Sequence, residues 1–224
     1  MKIKILLWCS FLCFIMSCAP STSKKTTNTS TTKSKHTTHT TSIDFMTNRE
    51  FEMINELNLV RTNPKGYVTY VENYIKEQEA LKKDLISGQE FIEDEIKTAK
   101  ELIKILKKTP KMNTLTPHKA VYKAAKLHGR ELNKTGKIEH QSVNGDMPWT
   151  RILRQSSELK DGSENLVGGP SNVRESVMVL LVDSGIPNRG HRKNILNPEW
   201  KYVACYEVGN VGDMPFCWVQ NFAK

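Results

Sequence analysis

Acidic residues are missing from the first 42 positions of this 224-residue chain, and all 24 of its Asp and Glu lie beyond them. Cysteine is scarce: three of the five sit within the first 18 residues, leaving only Cys205 and Cys217 further on. The sequence has no Gly-x-Ser-x-Gly elbow, no phosphate-binding loop, no EF-hand loop and no Cys-x-x-Cys knuckle. Serine hydrolysis on a strained elbow, nucleotide binding and thiolate zinc knuckles are therefore without support. No internal repeat is found, which sets aside solenoids and propellers. The apolar stretch Ile5–Met16 has only 12 residues, against the roughly 20 that a helix needs to cross a bilayer.

That stretch, preceded by Lys2 and Lys4, reads as an export signal. It ends in Ile15-Met16-Ser17-Cys18, which resembles a bacterial lipobox. The resemblance implies a signal peptide over residues 1–17, cleavage before Cys18 and diacylation of its thiol. Two acyl chains hold a protein on a membrane stably, so an extracytoplasmic lipoprotein of the cell envelope is expected. Ordinary cleavage near Ala19, releasing a free secreted protein, is the alternative.

Between Ala19 and Ser42, 15 of 24 residues are Ser or Thr. Such a segment buries too little to offset its ordering entropy, so residues 18–44 are expected to be a flexible tether. His36 and His39 fall here and read as incidental. Beyond position 42 the chain carries 27 basic against 24 acidic residues, a net charge of +3. That balance gives no reason to expect a nucleic-acid partner. The basic tether instead suits an anionic membrane surface.

Residues 45–224 read as one domain. Thr47 and Glu50 have capping-box spacing, and Phe51, Met53, Ile54, Leu57 and Val60 follow at helical intervals up to Asn63-Pro64. Tyr67 to Ile75 suggest a second helix, Ile92 to Leu106 a third, and His118 to Lys134 a fourth stopped by Gly136. Asn172 with Glu175 caps another, buried through Val173, Val177 and Leu180 or Leu181. Trp200–Val208 and Phe216–Phe222 are rich in aromatic and branched residues, which predicts a β-hairpin. In a hairpin turning near Val211, Cys205 and Cys217 stand equally far from the turn. They are candidates for a cross-strand disulfide, with two buried free thiols as the alternative.

Five ordered segments resemble the bacterial form of the CAP superfamily (cysteine-rich secretory proteins, antigen 5, pathogenesis-related proteins). They are Leu57-Asn58-Leu59-Val60-Arg61-Thr62-Asn63-Pro64; Ala124-Ala125-Lys126-Leu127-His128; Ile138-Glu139-His140 with Gly145; Ser163-Glu164-Asn165-Leu166; and Arg189-Gly190-His191-Arg192-Lys193-Asn194-Ile195-Leu196. Trp218-Val219-Gln220-Asn221-Phe222 resembles the family's last strand. The resemblance implies an α/β fold, a three-layer α-β-α sandwich, with a cleft lined by two His and two acids. Matched motif by motif, these are His140, Glu164, His191 and Asp183. Many members carry Glu where this chain has Asp183, so that shorter carboxylate is the one whose reach is in question.

Two imidazoles and two carboxylates suit a borderline divalent cation such as zinc, held by His140 and His191 with Glu164 and Asp183 nearby. The same groups suit proton transfer, with Glu164 and Asp183 as the candidate catalytic acids. What is known of the family implies a lipid or peptide ligand in the cleft. A metal-assisted hydrolase of the cell envelope and a structural adhesion module remain as alternatives. His128, on an apolar helix face, reads as a satisfied core residue.

Overall fold

A computed structural model of the chain describes residues 44–224. The export signal, the tether and Cys18 lie outside the described residues.

The first helix, α1 (Asn48–Thr62), starts on the expected capping box: Thr47 Oγ1 accepts the Glu50 N–H at 3.2 Å, and Glu50 Oε2 accepts the Thr47 N–H at 2.8 Å. Asn63 closes α1 and caps α2 (Pro64–Asp84) in one step, its side chain accepting the Gly66 N–H at 3.1 Å. Then come α3 (Gln89–Lys108), the short β1 (Thr116–Pro117) and α4 (Lys119–Thr135), which ends on left-handed Gly136. The elements α5 (Pro148–Leu153), β2 (Gly162–Val167) and α7 (Gly190–Ile195) carry no periodicity in the sequence long enough to announce them. Between the last two lies α6 (Val173–Val182), whose N-cap Asn172 accepts the Arg174 N–H at 2.8 Å. The chain closes with the hairpin β3 (Tyr202–Val211) and β4 (Met214–Ala223).

The sheet order is β1-β3-β4-β2, with β1 parallel to β3 and the other neighbours antiparallel. Alternation along the strands splits the core in two. Val203, Cys205, Trp218, Phe222 and Val167 pack with α1, α2, α3 and α6 on one face. Ala204, Val219, Ala223, Leu166 and Cys217 pack with α4 and α5 on the other. Helices on both faces of one sheet make the three-layer α-β-α sandwich. Gly129 of α4 lets that helix lie close on the sheet, since a Cβ there would stand 2.4 Å from the Tyr206 ring.

The disulfide expectation fails. The hairpin turns at Gly212-Asp213, beyond Val211, and that turn sets the register of the two strands, with a local bulge at Gly209. Cys205 therefore faces Gln220, while Cys217 faces Gly209. The two thiols belong to opposite faces of the sheet, and both are free and buried. Side chains on opposite faces cannot meet the geometry of a bridge.

Candidate functional site

The site is built at the free edge of β2. Glu164 projects to the α4 side of the sheet, where its side chain has no exposed surface. A buried carboxylate needs partners, and it has them on both oxygens. His140 Nδ1–H donates to Oε1 at 2.9 Å, and Arg151 Nη2 donates to Oε2 at 2.8 Å. With its amide nitrogen turned toward the carboxylate, Asn221 adds a bond to Oε2 at 3.1 Å. His140 itself is half-exposed and lies in an irregular segment between α4 and α5.

The second pair stands at the start of α7. Asp183 is the C-cap of α6 and is 3% exposed. Its Oδ1 accepts the His191 Nδ1–H at 2.8 Å, and its Oδ2 accepts the His191 N–H at 3.0 Å. The shorter acid therefore does reach. Asp183 (φ 55°) and Arg189 (φ 51°) both adopt the left-handed region that non-glycine residues rarely visit. Arg189 closes the turn between them by donating to the Asp183 and Ile186 carbonyls at 2.7 and 3.1 Å.

Asparagines stitch the two pairs together. Asn194 of α7 donates to the Glu164 carbonyl at 3.3 Å and to Asn165 Oδ1 at 2.8 Å, and Asn165 donates back to the His191 carbonyl at 3.4 Å. So β2 offers Glu164 to one face and Asn165 to the other, and each holds one half of the site.

In both pairs Nδ1 is engaged by a carboxylate, which fixes the tautomer and leaves Nε2 as the ring's outward donor. Among the described residues, no three His, Cys, Asp or Glu side chains gather as ligands of one metal ion. Imidazole Nε2 is a donor of the type a divalent cation takes, but no closed four-residue structural zinc site is built among the described residues.

His128 behaves as the sequence suggested, 1% exposed with both ring nitrogens satisfied by Glu131 and the Glu139 carbonyl. It also borders the site, with Nε2 3.7 Å from Glu164 Oε1. A small cavity of about 210 Å³ opens alongside, lined in part by His128, Glu131, Ser142 and Arg151. Two carboxyls there are held below their ordinary range. Burial alone would raise Glu131, but bonds from Ser142, the Val143 N–H and His128 outweigh it. Asp146 is lowered by its hydrogen bonds from Arg154 and Asn144.

Sequence reasoning missed Arg151, Asn194, Asn165 and Asn221 as site residues. Three of these stand inside the motif segments, next to or near the residues singled out. Arg151 had no signal, because its reach to Glu164 depends on packing α5 against β2.

A three-layer sandwich carrying two His–carboxylate pairs at a sheet edge defines a class, and the sequence comparison agrees. The model of the CAP family, described as the cysteine-rich secretory protein family, matches residues 54–222. The chain belongs to this family. Among solved structures, an outer surface protein from Borrelia burgdorferi is 23% identical, with a TM-score of 0.44 over 59% of this chain and 92% of that one. An extracellular protein containing a SCP domain from Bacillus anthracis str. Ames is 19% identical, with a TM-score of 0.40 over 60% of this chain and 38% of that one. No curated protein matches.

Proposed function

We propose that this is an exported, lipid-anchored CAP-domain protein that binds zinc through His140 and His191 and presents it to a lipid or peptide ligand. The observation that carries the reading is the paired geometry: His140 on Glu164 at 2.9 Å and His191 on Asp183 at 2.8 Å, each with Nδ1 bound. A carboxylate on Nδ1 orients the ring and raises the basicity of Nε2, as in carboxylate–histidine–zinc arrangements. Two nitrogen donors leave the other positions of a tetrahedral ion to water or to an oxygen of the ligand. When bound, such an ion polarises that oxygen.

A binding role suits the acids better than catalysis. Both oxygens of Glu164 are engaged and its side chain is wholly buried, which suits a carboxylate that orients His140. Asp183 is likewise occupied by the ring and two backbone N–H groups. Calorimetric titration of zinc into the wild-type chain and into a His140→Ala, His191→Ala variant tests the reading. Binding lost in the variant is expected; equal affinity in both sinks the metal site.

The anchor rests on the lipobox-like Ile15–Cys18, outside the described residues. No described helix is long and apolar enough to cross a membrane. Metabolic labelling with a fatty acid should mark the wild type and not Cys18→Ser. An unlabelled wild type would remove the anchor from the account.

A further inference from the structure

We propose that Arg151 is the positioning residue of the His140–Glu164 pair, one guanidinium holding both of its members. The proposal rests on the reading of His140 as a zinc ligand for its consequence, though not for its geometry. His140 stands on neither helix nor strand, and its side chain is 45% exposed, so packing alone does not hold its ring. Something must hold the segment.

Three side chains do so. From α4, His128 Nε2–H donates to the Glu139 carbonyl at 2.9 Å, and Glu131 Oε1 accepts the Val143 N–H at 2.7 Å. These fasten the segment on either side of His140. From α5, Arg151 Nη1 donates to the His140 carbonyl at 2.7 Å, the Asp146 carbonyl at 3.0 Å and Ser142 Oγ at 3.2 Å. Of these three, Arg151 is the one that also hydrogen-bonds the other member of the pair, through Nη2 to Glu164 Oε2 at 2.8 Å. The guanidinium is planar and rigid, so these two bonds set the spacing between the His140 backbone and the Glu164 carboxylate.

Arg151 is 6% exposed and its charge lies against a carboxylate with no exposed surface. It thereby meets the charge of Glu164 at Oε2, leaving Oε1 to orient the imidazole. Without it, the Glu164 carboxylate keeps only His140 and Asn221 among the described residues within hydrogen-bond distance, and the segment loses three of its bonds. The expected result is an imidazole that samples both tautomers and several orientations.

The test compares wild type, Arg151→Met and Arg151→Lys at one fixed neutral pH. Ring nitrogen shifts of His140 and His191 are recorded by NMR without metal, and zinc affinity is measured by calorimetry. In the wild type both rings should report a single Nδ1–H tautomer. Arg151→Met should average the His140 shifts, leave His191 unchanged and weaken zinc about 10- to 100-fold. Lysine is a point charge without the fork, so Arg151→Lys should fail to restore the His140 pattern.

Unchanged His140 shifts in Arg151→Met overturn the proposal. So does parallel disturbance of His140 and His191, which marks a general loss of structure. Should the Met variant not fold, Arg151→Lys carries the same two readings. A wild type that binds no zinc, yet loses the His140 tautomer on substitution, overturns the metal reading and upholds Arg151.

Discussion

Asp183 meets His191 twice, accepting its ring Nδ1–H at 2.8 Å and its backbone N–H at 3.0 Å. One carboxylate thus ties the imidazole to the first turn of the short helix that carries it. Its third bond, from the Arg192 N–H at 3.3 Å, completes the link.

Asp183→Asn should therefore weaken zinc binding by about 10- to 100-fold, because an amide has one acceptor oxygen for three donors. Asparagine tolerates the left-handed backbone, so the fold should survive. Calorimetry reads the affinity and circular dichroism the fold. Wild-type affinity in this variant would mean that the orientation of His191 does not matter to the metal.

The two sheet cysteines should be free and slow to react. Burial raises the Cys217 thiol to about 11, despite an opposing backbone bond from Val211, and raises Cys205 well above its ordinary value. Unfolded thiols ionise near 8.5, so above that pH the unfolded chain holds fewer protons than the native one. Stability must then fall as pH rises from about 8.5 toward 11. Urea midpoints at pH 8 and pH 10 should show that decline, smaller in Cys205→Ala, Cys217→Ala. After oxidative purification and denaturation, both should still titrate as thiols; a loss of two would reinstate the bridge.

Acid should loosen the His140 segment through Glu131. Its carboxyl is net lowered in the fold: burial opposes ionisation, but bonds from Ser142, Val143 and His128 prevail. A lowered carboxyl contributes stability above its unfolded value of about 4.3, and that contribution is lost as pH falls through the lower folded value. Glu131→Gln should remove this part of the acid dependence. The opening equilibrium at Val143, taken from amide exchange corrected for the intrinsic rate at each pH from 6 to 3, should rise in the wild type and stay flat in the variant. A rise of equal size in both would assign the loosening to other groups.

Arg61 should be a stability residue, although it lies in one of the family-like segments. It is fully buried and donates to the carbonyls of Asn113, Ile195 and Asn197 at 3.1, 2.8 and 2.7 Å. Burial lowers its guanidinium to about 10, so it remains charged at neutral pH. Arg61→Met leaves those carbonyls unmet and should cost about 3 kcal/mol. For a domain of this size that corresponds to a melting point roughly 6 to 12 °C lower. A shift below about 2 °C would show that water replaces the guanidinium at little cost.

The longer helices were legible because each carries its own signals: the Thr47–Glu50 box, Asn63-Pro64, the stripe from Ile92 to Leu106, Gly136 and Asn172. Periodicity and capping are local, so a single sequence displays them. His140, Glu164, His191 and Asp183 were legible only through resemblance to a family, since nothing local marks their meeting. Strand β2 was not legible at all. Buried at five of its six positions, it shows no alternation, and only its pairing with β4 makes it a strand.

What the sequence determined by itself is therefore the set of long helices, the closing hairpin and the residue types available for a site. Tertiary structure decided the rest. Because the hairpin turns at Gly212-Asp213 and not at Val211, Cys205 pairs with Gln220, an odd number of positions from Cys217, and side chains that alternate with a period of two then point to opposite faces. Packing α5 on β2 brought Arg151, 13 positions from Glu164 in sequence, to 2.8 Å from its carboxylate. The link from α6 to α7, with Asp183 and Arg189 both left-handed, turned the shorter acid onto His191. Each of these outcomes depends on where a whole element lies, and that position is set by the burial of the element's other residues.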